Sequence, residues 1–315
     1  MELIKPGIEV NFIRYRLIFL IISSVLFLAS IISFFYPGPN WGIDFKGGTE
    51  MRVRFLKEVA IGKIRASVSE LGLGEVQIQS FKQTSLGSEK SEGKDFLIRV
   101  EALSGSKEKL RPATLIEDRF KKDFGENSFL VLNVEYVGPR VGRELREKGV
   151  QAMIYAMIGI LLYVAFRFEF RYALGAVLAL VHDTIITAGF YIFFHREWSL
   201  AIIAALLTII GYSVNDTIVV YDRIRESIRR GRRGTFKEIV NRSINETLSR
   251  TVLTSFTTLL AVLFLYIFGG GVIRDFSLVL LVGIIVGTYS SIYIASSLVV
   301  FLDDLRAKRS KAKKK

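Results

Sequence analysis

The sequence predicts a membrane bundle of six transmembrane helices, with an α+β, ferredoxin-like domain inserted between the first and the second. Three observations predict it. Half of the 315 residues are hydrophobic and mean hydropathy is +0.38, too apolar for an ordinary soluble chain. The apolar residues gather into six runs, at 17–36, 149–166, 172–194, 199–220, 251–268 and 277–301. Each is close to the roughly 20 residues that cross a bilayer core. Between the first two runs lies a stretch, 37–148, that alternates strand-like and helix-like periodicity.

The first run is longer than the hydrophobic region of a signal peptide, and Pro37-Gly38-Pro39 follows it instead of a small-residue cleavage site, so it reads as a retained span. Glycines in 42–49 predict a tight turn holding Asp44 and Lys46. The next segments read as a strand at 49–55, a helix at 59–71, strands at 75–81 and 95–101 around a polar loop, a helix at 107–124 and a strand at 128–137. Pro112 is tolerable in the first turn of that second helix. This order is the split motif of ferredoxin-like domains. The polar lead-in 142–148 continues outward from the second span. Between spans four and five, 222–250 reads as two short basic amphipathic helices on the membrane surface, broken at the glycines 231 and 234. A basic tail occupies 302–315. Gly283 and Gly287, four residues apart, would allow close helix approach.

The net charge of +13 is concentrated at Lys5, Arg14 and Arg16, in 222–250, and in the tail. A six-span topology puts these on one side, which is the positive-inside signal, so both termini are expected in the cytoplasm. Aromatic residues are not interleaved with this charge as in a single-strand binding platform, so the sequence indicates no nucleic acid. Anionic lipid headgroups fit the tail. With no cysteine there is neither a disulfide framework nor thiol chemistry. No nucleophile–base grouping or cofactor motif supports an enzyme.

The chemically telling residue is Asp216, flanked by apolar sequence in the fourth span. An ionised carboxylate at a helix centre costs about 2.5–3.5 kcal/mol on insertion scales. Tyr212 and Ser213 share its helical face, with Asn215 and Thr217 nearby. Low dielectric favours the neutral acid and a nearby guanidinium the carboxylate, so alternation between the two surroundings would load and release a proton. A structural ion pair is the alternative. Arg250 is the candidate partner, heading a stripe with Thr254, Thr257 and Thr258; an interfacial arginine is the other reading. His182 and Asp183, in the third span, are adjacent residues pointing apart on a helix. They offer no metal pair and fit packing or a polar wire beside Asp216.

GIDFKGGT at 42–49, VGPRVGRELREKG at 137–149, VHDTIITAGF at 181–190, YSVNDTIVVYDRIRE at 212–226 and INETLSRTVLTS at 244–255 resemble the SecD/SecF family of the bacterial Sec protein-export machinery, in its shorter form. The resemblance covers nearly the whole chain. It implies membership of the proton-driven resistance-nodulation-division superfamily, the bacterial cytoplasmic membrane as location and no cofactor. The implied partners are SecD, which would supply a further aspartate, the SecYEG translocon with YajC or YidC-type accessory proteins, and the moving preprotein. The implied proton-pathway residues are Asp216 and Arg250, and the implied role is coupling the proton motive force to late preprotein movement. A half-transporter for small molecules or lipids and a passive scaffold are the competing readings.

Overall fold

The computed structural model describes residues 10–74, 76–81, 94–101, 111–231 and 233–312. The chain enters through helix α1 (Phe12–Phe35), capped by the Asn11 side chain, which accepts from Arg14 N at 3.0 Å. A short strand β1 (Asn40–Trp41) and a one-turn helix α2 (Ile43–Lys46) follow. Next come β2 (Gly48–Phe55), α3 (Ile61–Ser69), β3 (Val76–Phe81), β4 (Lys94–Glu101), α4 (Arg111–Phe124) and β5 (Phe129–Val137). The rest is helical apart from β6 (Glu197–Trp198): α5 (Pro139–Arg167), α6 (Phe170–Phe193), α7 (Leu200–Arg229), α8 (Phe236–Phe268), α9 (Gly271–Ser290) and α10 (Ser296–Ala312). A π-helical turn, Ser291–Ala295, joins α9 to α10.

In the α+β domain β2 to β5 form one antiparallel sheet, ordered β3-β4-β2-β5. Alternate residues of β2 (Met51, Val53, Phe55) and of β4 (Phe96, Ile98, Val100) point to one face. There they meet Ile64 and Val68 of α3 and Ile116 and Phe120 of α4. Every expected strand and helix of this region is found within a few residues of its expected limits. Pro112 falls in the first turn of α4, where a missing N–H is harmless. The polar loop 82–93 and residues 107–110 lie outside the described residues.

Among the described residues, six helical segments are long and apolar enough to cross a membrane, the last running through α9, the π turn and α10. Helices α6, α7 and α9 form the interior, whereas α1, α5 and α8 keep most of their apolar side chains exposed. That exposure suits lipid or another chain as neighbour. Gly283 and Gly287 do allow close approach: a Cβ at Gly283 would clash with Ile209 of α7, and one at Gly287 would sit 3.0 Å from Ser213 Cβ.

Two expectations are corrected. The segment 222–250 is not a pair of separate surface helices. Its halves are the continuous ends of α7 and α8, because neither stretch contains a proline to stop it. The break at the glycines is real: Gly231 and Gly234 have φ of 65° and 130°, and a Thr235–Glu238 capping box then starts α8. The α8 end also packs inward. Asn241 and Asn245 donate to Val10 O at 3.1 and 2.8 Å, holding the entry to α1. The second correction concerns 42–49. It is not merely a turn: α2 lies against the start of α7, where Asp44 Oδ2 accepts from Leu200 N at 2.8 Å.

Candidate functional site

Asp216 lies on α7, 3% exposed, at the junction with α8 and α9. Among the described residues its one hydrogen bond is long, 3.4 Å, from Ser255 Oγ of α8. Ser255 also meets Thr288 Oγ1 of α9 at 2.7 Å and accepts from Tyr212 OH at 3.3 Å. Tyr212 thus reaches the carboxylate through Ser255, from the face the helical spacing assigns to it. The result is a small hydroxyl chamber around one weakly held carboxylate.

Arg250 is not in that chamber. Among the described residues no ion pair within 4.0 Å joins it to Asp216, although its charge lies close enough to act on that carboxylate, and Arg250 is exposed on α8. Helical spacing explains this. The buried face of α8 runs through Val240, Ile244, Thr247, Thr251 and Ser255, and Arg250 lies one position away from it. Its companions satisfy themselves: Thr254 donates to Arg250 O at 2.8 Å and Thr258 to Thr254 O at 2.8 Å. Asn215 is exposed, and Thr217 is buried and donates to Ser213 O at 3.3 Å.

His182, Asp183 and Ser213 do come together, in a second cluster. Asp183 is wholly buried; its Oδ1 lies 2.8 Å from His182 Nδ1, and its Oδ2 accepts from Ser213 and Ser290, each at 2.6 Å. His182 Nε2 in turn meets Ser23 Oγ of α1. The two neighbours bond to one another even though adjacent helical positions diverge. Ser23, Ser255, Thr288 and Ser290 were missed by sequence reasoning. Serine and threonine are so common in such spans that no local signal marks them, although Ser255 lies within the motif at 244–255.

A third set of contacts ties the α+β domain to the bundle. Strands β1 and β6 pair in parallel, and the Trp41 and Trp198 rings lie 5.6 Å apart. Arg99 of β4 bonds Glu50 Oε2 at 2.7 Å and also pairs with Glu197 of β6, just before α7. Burial raises the Glu197 carboxyl above the usual glutamate value, against the opposing pull of Arg99.

This architecture defines a class: a six-span membrane protein with buried carboxylate clusters and an α+β domain anchored to its bundle. The family of protein export membrane proteins SecD/SecF, C-terminal, matches residues 117–305, and the SecD/SecF GG motif matches 32–57. The protein translocase subunit SecF of Calditerrivibrio nitroreducens is 45% identical over 312 residues, covering 97% of this chain and 98% of its own. That of Magnetococcus marinus is 45% identical over 305 residues, covering 96% and 95%. The crystal structure of SecDF from Thermus thermophilus, a translocon-associated membrane protein, matches with a TM-score of 0.80 at 40% identity, over 95% of this chain. SecDF in its super-membrane-facing form matches with a TM-score of 0.72, at 40% identity over 99% of this chain. The chain spans 39% and 41% of these solved chains. It belongs to the SecD/SecF family.

Proposed function

We propose that the chain is an accessory subunit of the Sec translocase that works with SecD, using the proton motive force to promote preprotein translocation and release. One observation carries this reading: Asp216 is buried among three helices and, among the described residues, has a single long hydrogen bond and no ion pair. A carboxylate in that setting is costly unless it exchanges protons or gains a partner. The exposed face of α8 bearing Arg250 is where a second chain would complete the site, and SecD would supply the further aspartate. Proton binding at Asp216 would then change how α7, α8 and the partner pack, drawing Arg250 toward or away from the carboxylate.

Strands β2 to β5 with helices α3 and α4 act in this scheme as a ferredoxin-like extracytoplasmic domain, moved through its anchor on α7. Both termini lie in the cytoplasm of a bacterium, in line with the basic charge near them. SecYEG, YajC or YidC-type proteins, the preprotein and anionic lipids are the further contacts of this scheme, in which the chain is a coupling subunit and not an enzyme. Asp216→Asn, assembled normally with SecD, is expected to abolish proton-dependent export. Normal export by that variant at normal protein levels refutes the reading.

A further inference from the structure

Asp183 is a second buried carboxylate that the proton step above does not use. It gathers four helices: its Oδ2 takes hydroxyls from Ser213 of α7 and Ser290 of α9, and its Oδ1 is held by His182 of α6, which reaches Ser23 of α1. In a low-dielectric interior such hydrogen bonds are stronger than in water and costly to leave unmade.

Two of these arms stop just short of the Asp216 chamber. Ser213 precedes Asp216 by three residues on α7, and Ser290 follows Thr288 by two on α9. Ser213 is also the residue that Gly287 of α9 packs against. A shift of α7 along α9 would therefore break the Asp183 contacts and the meeting of Asp216, Ser255 and Thr288 together. We infer that Asp183 is a positioning residue: its carboxylate fixes the register of α7 against α9, and so fixes how Ser255 and Thr288 meet Asp216. This rests on the reading that Asp216 exchanges protons.

Among the described residues, Asp183 is bonded by His182 of its own helix, Ser213 of α7 and Ser290 of α9, while Tyr289 of α9 is turned away to donate to Phe19 O at 2.6 Å. From α1, Ser23 acts through His182.

The test uses the chain assembled with SecD in proteoliposomes and a hydrophobic carbodiimide, which modifies protonated carboxyls. Labelling of Asp216 is followed by mass spectrometry across pH. Ser290→Ala removes one arm without changing charge, and is expected to move the Asp216 labelling midpoint measurably, by less than the roughly one pH unit that a direct hydrogen bond to a charged group is worth. Ser290→Thr restores a hydroxyl and is expected to restore the midpoint, and Asp183→Asn is expected to move it as well. Ser24→Ala, on an exposed face of α1, is expected to leave it in place. Should Asp183→Asn fail to assemble, the Ser290 pair decides alone. A midpoint unmoved in assembled Ser290→Ala, or an Asp216 that takes no label at any pH, overturns the inference. Export by Asp216→Asn judges the proton reading separately: normal export there with a shifted midpoint in Ser290→Ala would sink that reading and leave the register effect standing.

Discussion

Glu197 shows at the residue scale how charge is used where the α+β domain meets the bundle. Its carboxyl is raised by burial, so the folded chain holds that proton more readily than the unfolded chain. The sign follows: this group favours folding at acid pH, and its contribution is lost as pH rises from the usual 4.5 through the raised folded value. Acidification therefore replaces the Arg99–Glu197 ion pair by a still-charged Arg99 beside a neutral acid, with Arg99 also paired to Glu50. The chain's two tryptophans, Trp41 and Trp198, both sit here. Their fluorescence is expected to change with a midpoint above pH 4.5 in the wild type, and Glu197→Gln is expected to flatten that response. Legibility was uneven at this scale. Asp216 stood out because a carboxylate among apolar residues is costly whatever surrounds it. The exposed position of Arg250 and the hydroxyls of Thr288 and Ser290 depend on how separate helices face one another, which a single-helix pattern does not encode.

At the scale of elements, two glycines with opposite surroundings give opposite expectations. Gly283 is overlaid by Ile209, whereas nothing lies within 4 Å of a Cβ built at Gly211. Gly283→Leu is expected to push α9 from α7 and destabilise the bundle by about 1–3 kcal/mol or more, as overpacking does. Gly211→Ala is expected to be neutral or to gain up to about 1 kcal/mol from helix propensity. Thermal unfolding in detergent separates the two. The capping box is a third case: Thr235 N donates to Glu238 Oε2 at 2.9 Å. Thr235→Ala is expected to cost about 1 kcal/mol and fray the start of α8, visible as faster amide exchange there. The strand and helix order of 48–137 was legible because half-buried faces impose a period. The continuity of α7 and α8 was not, since amphipathic sequence reads alike in a surface helix and in the protruding end of a span. The π turn at Ser291–Ala295 leaves no local mark either; it is stabilised from outside, with Tyr221 OH donating to Ala295 O at 3.2 Å.

For the whole molecule, the proposed coupling runs along α7. Its first turn is capped by Asp44 beside the α+β domain, its middle carries Ser213 and Asp216, and its last turns bury Ile224 and Ser227 against α8. A helix packed against α9 over two glycines moves as a unit more readily than it bends. Proton binding at Asp216 would therefore be felt where Asp44, Glu197 and Arg99 hold the domain. The exposed apolar faces of α1, α5 and α8 suit lipid or a second chain as neighbour, and this chain spans 39% of the longer SecDF chain it matches. Proton conductance of the reconstituted pair with SecD, wild type against Asp216→Asn, tests the central claim most directly. The account predicts conductance in the wild type that is lost in Asp216→Asn with assembly intact; equal conductance in the two would contradict it.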